Sequence, residues 1–136
     1  MRVVALIGHS GSGKTTAIVA LTSYFVARGK KIGAIKHTHH VLNEDVHRGD
    51  TARIRRAGAD PVILAGNGGE AVVFSSSGTR RIQYSEPPDL LAQVPADIVF
   101  VEGFKGYEGW PRIELTVDER HSTAELVEIL GRIWPA

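Results

Sequence analysis

The sequence GHSGSGKT occupies residues 8–15 and dictates how the flanking segments are interpreted. It follows an aliphatic run at residues 3–7, which is typical of a strand covered on both faces. Beyond it, apolar residues recur every three or four positions, so we predict a helix over residues 13–28 that stops before Gly29. The octapeptide fits G-x-x-x-x-G-K-[ST] at every fixed position, and its place between a strand and a helix is the context that a phosphate-binding loop requires.

A loop of this kind binds phosphate mainly through its backbone. Glycines allow successive N–H groups to point at the phosphates, and the following helix adds unsatisfied donors and the positive end of its dipole. Lys14 supplies a charge for the β and γ phosphates, Thr15 a hydroxyl ligand for Mg²⁺, and Thr16 a hydroxyl near the α phosphate. The candidate nucleotide-binding residues in this segment are Gly8, His9, Ser10, Gly11, Ser12, Gly13, Lys14, Thr15 and Thr16.

Strands and helices are predicted in alternation along the rest of the chain. Strands are expected at residues 32–36, 61–65, 71–74, 80–84, 98–101 and 112–117, and helical segments at 50–57, at 87–94 and after a capping box that begins at Ser122. A strand, a helix and a second strand within the first 36 residues favour a parallel crossover. We therefore predict the α/β fold of a P-loop NTPase, with three α/β/α layers, a largely parallel central sheet, and an antiparallel hairpin or edge.

Length and composition narrow the possible functions. The chain has 136 residues and a mass of 14.7 kDa, so we treat residues 1–136 as a single nucleotide-binding domain. A formal net charge of +1 gives no field that favours nucleic acid or a membrane as a partner. No apolar run has the length of a membrane span or a signal peptide, and we expect a cytoplasmic protein. Because cysteine is absent, disulfides and thiolate chemistry are excluded.

A nucleoside triphosphatase also needs a carboxylate near its metal ion, and Glu102 is the best candidate. The aliphatic run at 98–101 carries it to the same sheet edge as Gly8, where ligands bind in folds of this type. Gly103 leaves room for a γ phosphate, whereas Asp97 lies at the opposite end of the strand. We assign Glu102 to the metal site and to catalysis.

The segment from Lys36 to Asp50 is dense in groups that bind metals or carry protons, and it contains His37, His39, His40, Asp45 and His47. It fits a switch loop, in which Asp45 or Asp50 contacts the Mg²⁺ shell and Lys36 or His37 contacts phosphate or water. It also fits a transition-metal site or a solvated polar loop, because clustered histidines specify no geometry. We assign Lys36 and His37 to nucleotide binding, Asp45 to the metal and Asp50 to catalysis. Asp50 is also expected to cap the helix that follows.

Two further groups of side chains have open roles. Arg53, Arg55 and Arg56 lie on one predicted helix, where they either grip an anionic partner or form an ordinary solvated face. The aromatic residues Phe104, Tyr107 and Trp110 stand among three glycines. They either contact a ligand base or a protein partner, or pack beneath a loop.

Taken in order, these segments resemble the molybdopterin-guanine dinucleotide biosynthesis adapter proteins, the MobB family. The resemblance rests on the phosphate loop together with the segments IKHTHH at 35–40, GDT at 49–51, RAGA at 56–59 and VEGFK at 101–105. It covers nearly the whole chain, and KHTHH and VEGFK are its distinctive parts.

The resemblance implies a small protein that binds GTP, is usually a dimer and hydrolyses GTP slowly at most. It implies Mg²⁺ and GTP as ligands and, as a partner, the guanylyltransferase that joins GMP to molybdopterin. By the same comparison, residues 8–16 bind the triphosphate, Thr15 and Glu102 serve the Mg²⁺ region, and residues 36–40 with Asp50 form a switch-like loop. Guanine preference comes from the resemblance alone, since no N-K-x-D or T-K-x-D motif is present.

Two other functions remain open. A small-molecule kinase would use the same phosphate loop with ATP, but it would also need an acceptor pocket and an arginine-bearing lid. A nucleotide-driven metallochaperone would use His37, His39, His40 and His47. For the leading hypothesis, binding is the main task and enzyme activity amounts to a weak GTPase at most.

Overall fold

A computed structural model describes residues 1–9, 13–39, 42, 49–118 and 121–133. Within these residues the strands are β1 (Arg2–Ile7), β2 (Ile32–His37), β3 (Val62–Ala65), β4 (Glu70–Ser75), β5 (Gly78–Gln83), β6 (Ile98–Glu102) and β7 (Ile113–Thr116). The α-helices are α1 (Lys14–Val26), α2 (Asp50–Arg56) and α3 (Thr123–Ile133), and a 3-10 helix spans Pro87–Gln93. All the predicted strands and helices are present, with ends that differ by a few residues.

The strands form one seven-stranded sheet in the order β5-β4-β3-β2-β6-β1-β7. The five strands β3, β2, β6, β1 and β7 are neighbours in that order, and each neighbouring pair among them is parallel. Strands β4 and β5 extend the sheet beyond β3 as an antiparallel meander. The predicted mixed α/β sheet is therefore confirmed. Strand β6 lies between β1 and β2, so the strand that carries Glu102 is inserted between the two strands that the first crossover connects.

Successive side chains along each strand point to opposite faces of the sheet, so the buried apolar residues form a large cluster on each face. On the helical face, Val4, Leu6 and Phe100 pack with Ile18 of α1 and Leu130 of α3. Ile54 of α2 and Leu126 of α3 belong to the same buried cluster. Burial of these apolar side chains is the main force that holds the helices on the sheet.

The opposite face carries a thinner outer layer. Ile35, Val99 and Val101 pack there with Leu90 of the 3-10 helix and with Trp110. The third layer of the predicted fold thus consists of a 3-10 helix and the aromatic segment 103–112, rather than of α-helices. This face is consequently the one on which a loop, and not a helix, borders the ends of β1 and β6.

The start of α2 differs from the prediction. Asp50 was expected as its N-cap, but Gly49 occupies the cap position with φ of 102° and Asp50 is the first helical residue. Its carboxylate is hydrogen-bonded to Lys36 and Thr15 instead of capping its own helix. By contrast, the capping box of α3 is confirmed, since the Glu125 backbone N–H donates to the Ser122 hydroxyl at 3.2 Å.

None of the helices in the described part of the chain is long and apolar enough to cross a membrane.

Candidate functional site

The carboxyl ends of β1, β2 and β6 bring the predicted site residues to one edge of the sheet. In the parallel register Glu102 is the neighbour of Leu6 on one side and of Lys36 on the other. Neighbours in register place their side chains on the same face of a sheet. Lys36 and Glu102 therefore project together on the helical face, toward the start of α1.

Gly103 follows Glu102 where β6 passes closest to β2. Its φ is +99°, and an added Cβ would lie 2.7 Å from the Cβ of His37 and 3.2 Å from the His37 carbonyl oxygen. Only glycine fits such a conformation at this distance from the neighbouring backbone. The close approach fixes the spacing between the last residues of β2 and β6.

The phosphate loop is described at Gly8, His9 and Gly13, whereas Ser10, Gly11 and Ser12 lie outside the described residues. Gly13 caps α1 with φ of 91°. The ammonium group of Lys14 turns back over the loop, donating to the Gly8 carbonyl at 2.7 Å and to the His9 carbonyl at 3.4 Å. Its positive charge is thus held above the first turn of the helix, where phosphate oxygens would compete with these carbonyls.

Four side chains from four different elements meet beside Lys14, and we call them the acid–lysine cluster: Thr15, Lys36, Asp50 and Glu102. The Thr15 hydroxyl is 3.0 Å from Glu102 Oε2 and 3.3 Å from Asp50 Oδ2. The Lys36 ammonium donates to Asp50 Oδ2, lies 3.7 Å from Glu102 Oε2, and is 3.5 Å from the Thr15 hydroxyl. The side chains of Lys36 and Glu102 are only 20% and 15% exposed, so their charges are largely withdrawn from water.

The oxygen atoms of this cluster have a spacing that suits Mg²⁺. With metal–oxygen distances of 2.0–2.1 Å, adjacent ligands of an octahedral Mg²⁺ lie about 2.9 Å apart. The separations of 3.0 and 3.3 Å between the Thr15 hydroxyl and the two carboxylates are close to this value. The donors are hard oxygen atoms, which Mg²⁺ prefers. Thr15, Asp50 and Glu102 therefore fit the metal, and the Lys36 ammonium stands among the same three oxygens.

The acid–lysine cluster has a net negative formal charge. Burial raises the pKa of the Asp50 carboxyl, but the hydrogen bond and charge of Lys36, with smaller effects of Thr15 and Arg53, leave this pKa below its ordinary value. Asp50 is thus ionised at neutral pH. With Glu102 it supplies two negative charges against the positive charge of Lys36, and this leaves room for additional cationic charge.

His37 lies at the end of β2, on the side of the edge that faces the aromatic segment. Its ring is stacked on Phe104 at a centroid distance of 4.3 Å and contacts His39 edge-on at 5.1 Å. Burial, and secondarily the charge of His39, lower the pKa of His37 below its ordinary value of 6.5. His37 is therefore neutral at physiological pH and packs as an aromatic ring.

Asp45, His40 and His47 lie outside the described residues. Among the residues that are described, no group of three or more His, Asp or Glu side chains is arranged to hold a metal ion. The oxygen set proposed above differs because its third member is a threonine hydroxyl.

Arg53 is a site residue whose role the sequence left open. Its guanidinium lies 3.5 Å from the Thr16 hydroxyl and 3.7 Å from Asp50 Oδ1. Helix α2 thus directs Arg53 at the phosphate loop, whereas Arg55 stacks over the ring of Phe74 at 5.4 Å. The sequence pattern that could have placed Arg53 at the site is its helical spacing from Asp50, because residues three apart share one face of a helix.

A family model described as "Molybdopterin guanine dinucleotide synthesis protein B", MobB, matches residues 3–132. The chain is 35% identical over 117 residues to the molybdopterin-guanine dinucleotide biosynthesis adapter protein of Haemophilus influenzae. The aligned region covers 83% of this chain and 62% of that protein. The chain is also 32% identical over 106 residues to the Escherichia coli adapter protein, which covers 78% and 61% of the two chains. The chain spans about three fifths of the length of these curated relatives.

The crystal structure of Bacillus subtilis MobB has a similar fold. It superimposes with a TM-score of 0.54 over 88% of this chain and 69% of the other, at 23% sequence identity. At this identity the likeness concerns the fold alone.

Proposed function

The chain belongs to the molybdopterin guanine dinucleotide synthesis protein B family, and from this premise we propose that it is a GTP-binding adapter of molybdopterin guanine dinucleotide biosynthesis. It binds Mg²⁺ and GTP at the carboxyl edge of the sheet and assists the guanylyltransferase that joins GMP to molybdopterin. The observation that carries this proposal is the convergence of Lys14 and the acid–lysine cluster on the phosphate loop.

The charges of the site suit a magnesium nucleotide. Lys14 and the backbone at residues 8–16 hold the triphosphate, and Arg53 lies beside Thr16, where the α phosphate is expected. Thr15, Asp50 and Glu102 hold Mg²⁺, which would neutralise the phosphate charge.

Lys36 links metal and nucleotide in this proposal. Its ammonium group stands among the three oxygens that would hold Mg²⁺. Mg²⁺ held by these oxygens would stand close to the Lys36 ammonium, which would then be available to turn toward the terminal phosphate. On this arrangement the metal would bind more tightly with a nucleotide than alone.

Binding, rather than rapid turnover, is the main task of the site. Fast GTPases position the attacking water with a glutamine and add an arginine finger. Both glutamines of this chain, Gln83 and Gln93, lie in β5 and in the 3-10 helix, away from the phosphate loop. Slow hydrolysis, or hydrolysis stimulated by the partner enzyme, fits this arrangement, and a homodimer is the assembly that the family resemblance implies.

Calorimetric titration with GTP and with ATP, each with and without Mg²⁺, tests the proposal. We expect binding of one GTP per chain that is tightened by Mg²⁺ and is clearly stronger than binding of ATP. A preference for ATP, together with multiple turnover onto a small metabolite, would replace the adapter by a kinase. Absence of binding to either nucleotide would overturn the assignment of the phosphate loop.

A further inference from the structure

A cavity of about 450 Å³ adjoins the acid–lysine cluster at the sheet edge: Glu102 of that cluster lines it, and it extends onto the face of the sheet that carries Trp110. Its floor is formed by the ends of β1 and β7, and its wall by the aromatic segment that follows β6. This volume is within the range of small-molecule sites, which are mostly apolar with a few placed polar groups. The cavity reaches Lys14 and Gly8, so it opens onto the phosphate loop.

The wall of the cavity is aromatic and held in a fixed arrangement. Phe104 and Tyr107 each contact Trp110 edge-to-face, both at 5.9 Å between centroids. His37 is stacked on Phe104, whose φ of 55° is the one positive value outside glycine among the described residues. Left-handed backbone at a bulky residue is strained, and such strain concentrates at ligand sites.

The floor contains an apolar side chain that the fold leaves uncovered. Ile7 ends β1 and is 43% exposed, although it continues the face on which Val3 is buried against Trp110. Ala5, between them, is small and also lines the cavity. A flat ring seated on Ala5 and Ile7 would remove this apolar surface from water.

Polar recognition groups stand at one side of the floor. Arg112 lies just before β7 and Glu114 within it, and their guanidinium and carboxylate are 2.7 Å apart. Glu114 is the register neighbour of Ala5, and its side chain is 53% exposed against 18% for Arg112. Among the described residues Arg112 uses two of its five N–H donors, on Glu114 and on the Trp110 carbonyl, and Glu114 engages one carboxylate oxygen. The pair therefore offers a free acceptor beside free donors.

That combination matches the edge of a lactam ring. A carboxylate accepts hydrogen bonds from a ring N–H and a neighbouring amino group, while a guanidinium donates to the ring carbonyl. The 2-amino-4-oxo edge presents these groups in a row. Pterin and guanine, both part of the compound in the family's name, carry this edge.

We propose that the cavity binds a planar heterocycle with a 2-amino-4-oxo lactam edge, seated against the aromatic wall and recognised by Glu114 and Arg112. Resting on the proposed function, the ligand lies beyond the terminal phosphate and beside the metal site, because the cavity includes Lys14 and Glu102 but not Thr15 or Thr16. The nucleotide leaves the loop on the side of the α phosphate, so the heterocycle belongs to a second molecule. Pterin and guanine share the chemistry, and the experiment separates them.

Fluorescence of Trp110 reports on the cavity directly. The chain has two tryptophans, and a background variant Trp134→Phe leaves Trp110 as the only one. Pterin-6-carboxylate, guanosine and adenosine are each titrated with the loop empty and again with the loop saturated by Mg²⁺ and a non-hydrolysable GTP analogue. We expect saturable quenching by pterin-6-carboxylate in both series, and none by adenosine, which lacks the lactam.

Two matched variants test the recognition residues. Glu114→Gln should lower the affinity for the ligand that quenches Trp110 about tenfold, since it removes a charge-assisted acceptor. Glu70→Gln is the control, because Glu70 is also 53% exposed and paired with an arginine, Arg81, at 3.8 Å on the other side of the sheet. Thermal melting of both variants verifies that they are folded.

The outcomes are distinct. Quenching by guanosine but not by pterin-6-carboxylate, with the loop saturated, would keep the lactam edge and assign guanine as its source. Absence of quenching by either, equal quenching by adenosine, or equal effects of Glu114→Gln and Glu70→Gln would overturn the proposal. Quenching without any GTP binding in calorimetry would remove the proposed function and leave the cavity assignment intact. GTP binding without quenching would leave the proposed function intact and remove the cavity assignment.

Discussion

The two ends of strand β6 carry acidic residues that are bound in opposite ways. At the amino end, the exposed Asp97 accepts the backbone N–H of Lys31 at 2.8 Å, and its own backbone bonds to Lys31 and Arg2. At the carboxyl end, Glu102 is 15% exposed and contacts the side chains of Thr15 and Lys36.

The difference shows what each carboxylate is for. The Asp97 carboxylate accepts one backbone N–H, that of Lys31 just before β2, and it remains in water. Glu102 is largely withdrawn from water beside a hydroxyl and an ammonium group, and burying its charge is costly unless cations share it. The amino edge of the sheet therefore contributes to stability, whereas the carboxyl edge is the one at which we propose that a ligand binds.

The largest effect is expected from removing the charge at the ligand edge. Lys14→Ala should weaken GTP binding about a hundredfold or more, because charge-assisted hydrogen bonds to the phosphates are lost and each tenfold corresponds to about 1.4 kcal/mol. Lys31→Ala at the amino edge, which keeps the backbone N–H that Asp97 accepts, is the control and should bind GTP as the parent does. Calorimetry measures both. Unchanged affinity in Lys14→Ala would end the distinction between the two edges.

Substitutions at the two ends of β6 should give the next largest effects, one on GTP binding and the other on the free energy of unfolding. Glu102→Gln should reduce the Mg²⁺-dependent gain in GTP affinity about tenfold, since a metal ligand loses its charge, with little change in the free energy of unfolding. Asp97→Ala should leave GTP binding intact and lower the free energy of unfolding by about 0.5–1.5 kcal/mol, the usual contribution of one hydrogen bond. Calorimetry and urea denaturation of both variants measure the two effects. Equal losses of binding in the two variants would contradict the comparison.

Much of this arrangement was predictable from local sequence. The aliphatic run, the glycine-rich loop and the following helix are consecutive in the chain, so their order determines where Lys14 and Thr15 lie. Glu102 was predictable because it ends a buried strand and is followed by Gly103.

The parts that could not be predicted depend on contacts distant in sequence. Lys36 and Glu102 are register neighbours only because β6 inserts between β1 and β2, and strand order is set by packing of the whole sheet. Asp50 was assigned both to the site and to a helix cap, and only the cap was wrong, because the charge of Lys36 competes for its carboxylate and Gly49 takes the cap position. The Arg112–Glu114 pair lies in a segment predicted only as a strand, and its place in a cavity follows from the path of the aromatic segment.

The smallest expected effect concerns Lys36. It distinguishes a lysine that competes with Mg²⁺ for the carboxylates of Asp50 and Glu102 from a lysine that only orients them. If its ammonium stands in the place of the metal, Lys36→Met should bind Mg²⁺ without nucleotide a few-fold more tightly than the parent, because Asp50 and Glu102 are left without their counter-charge. The same variant should melt at a lower temperature in a chelating buffer, and added Mg²⁺ should restore much of the loss, since a ligand that binds only the folded state stabilises it.

Lys31→Met at the other edge is the matched control, for which neither Mg²⁺ affinity nor its effect on melting should change. Calorimetry with MgCl₂ and thermal melting provide the two measurements. Weaker Mg²⁺ binding in Lys36→Met would mean that the lysine orients the carboxylates for the metal rather than competing with it. The two carboxylates would then be preorganised by Lys36 much as Asp97 orders the amino edge, and the contrast between the ends of β6 would lose its electrostatic basis.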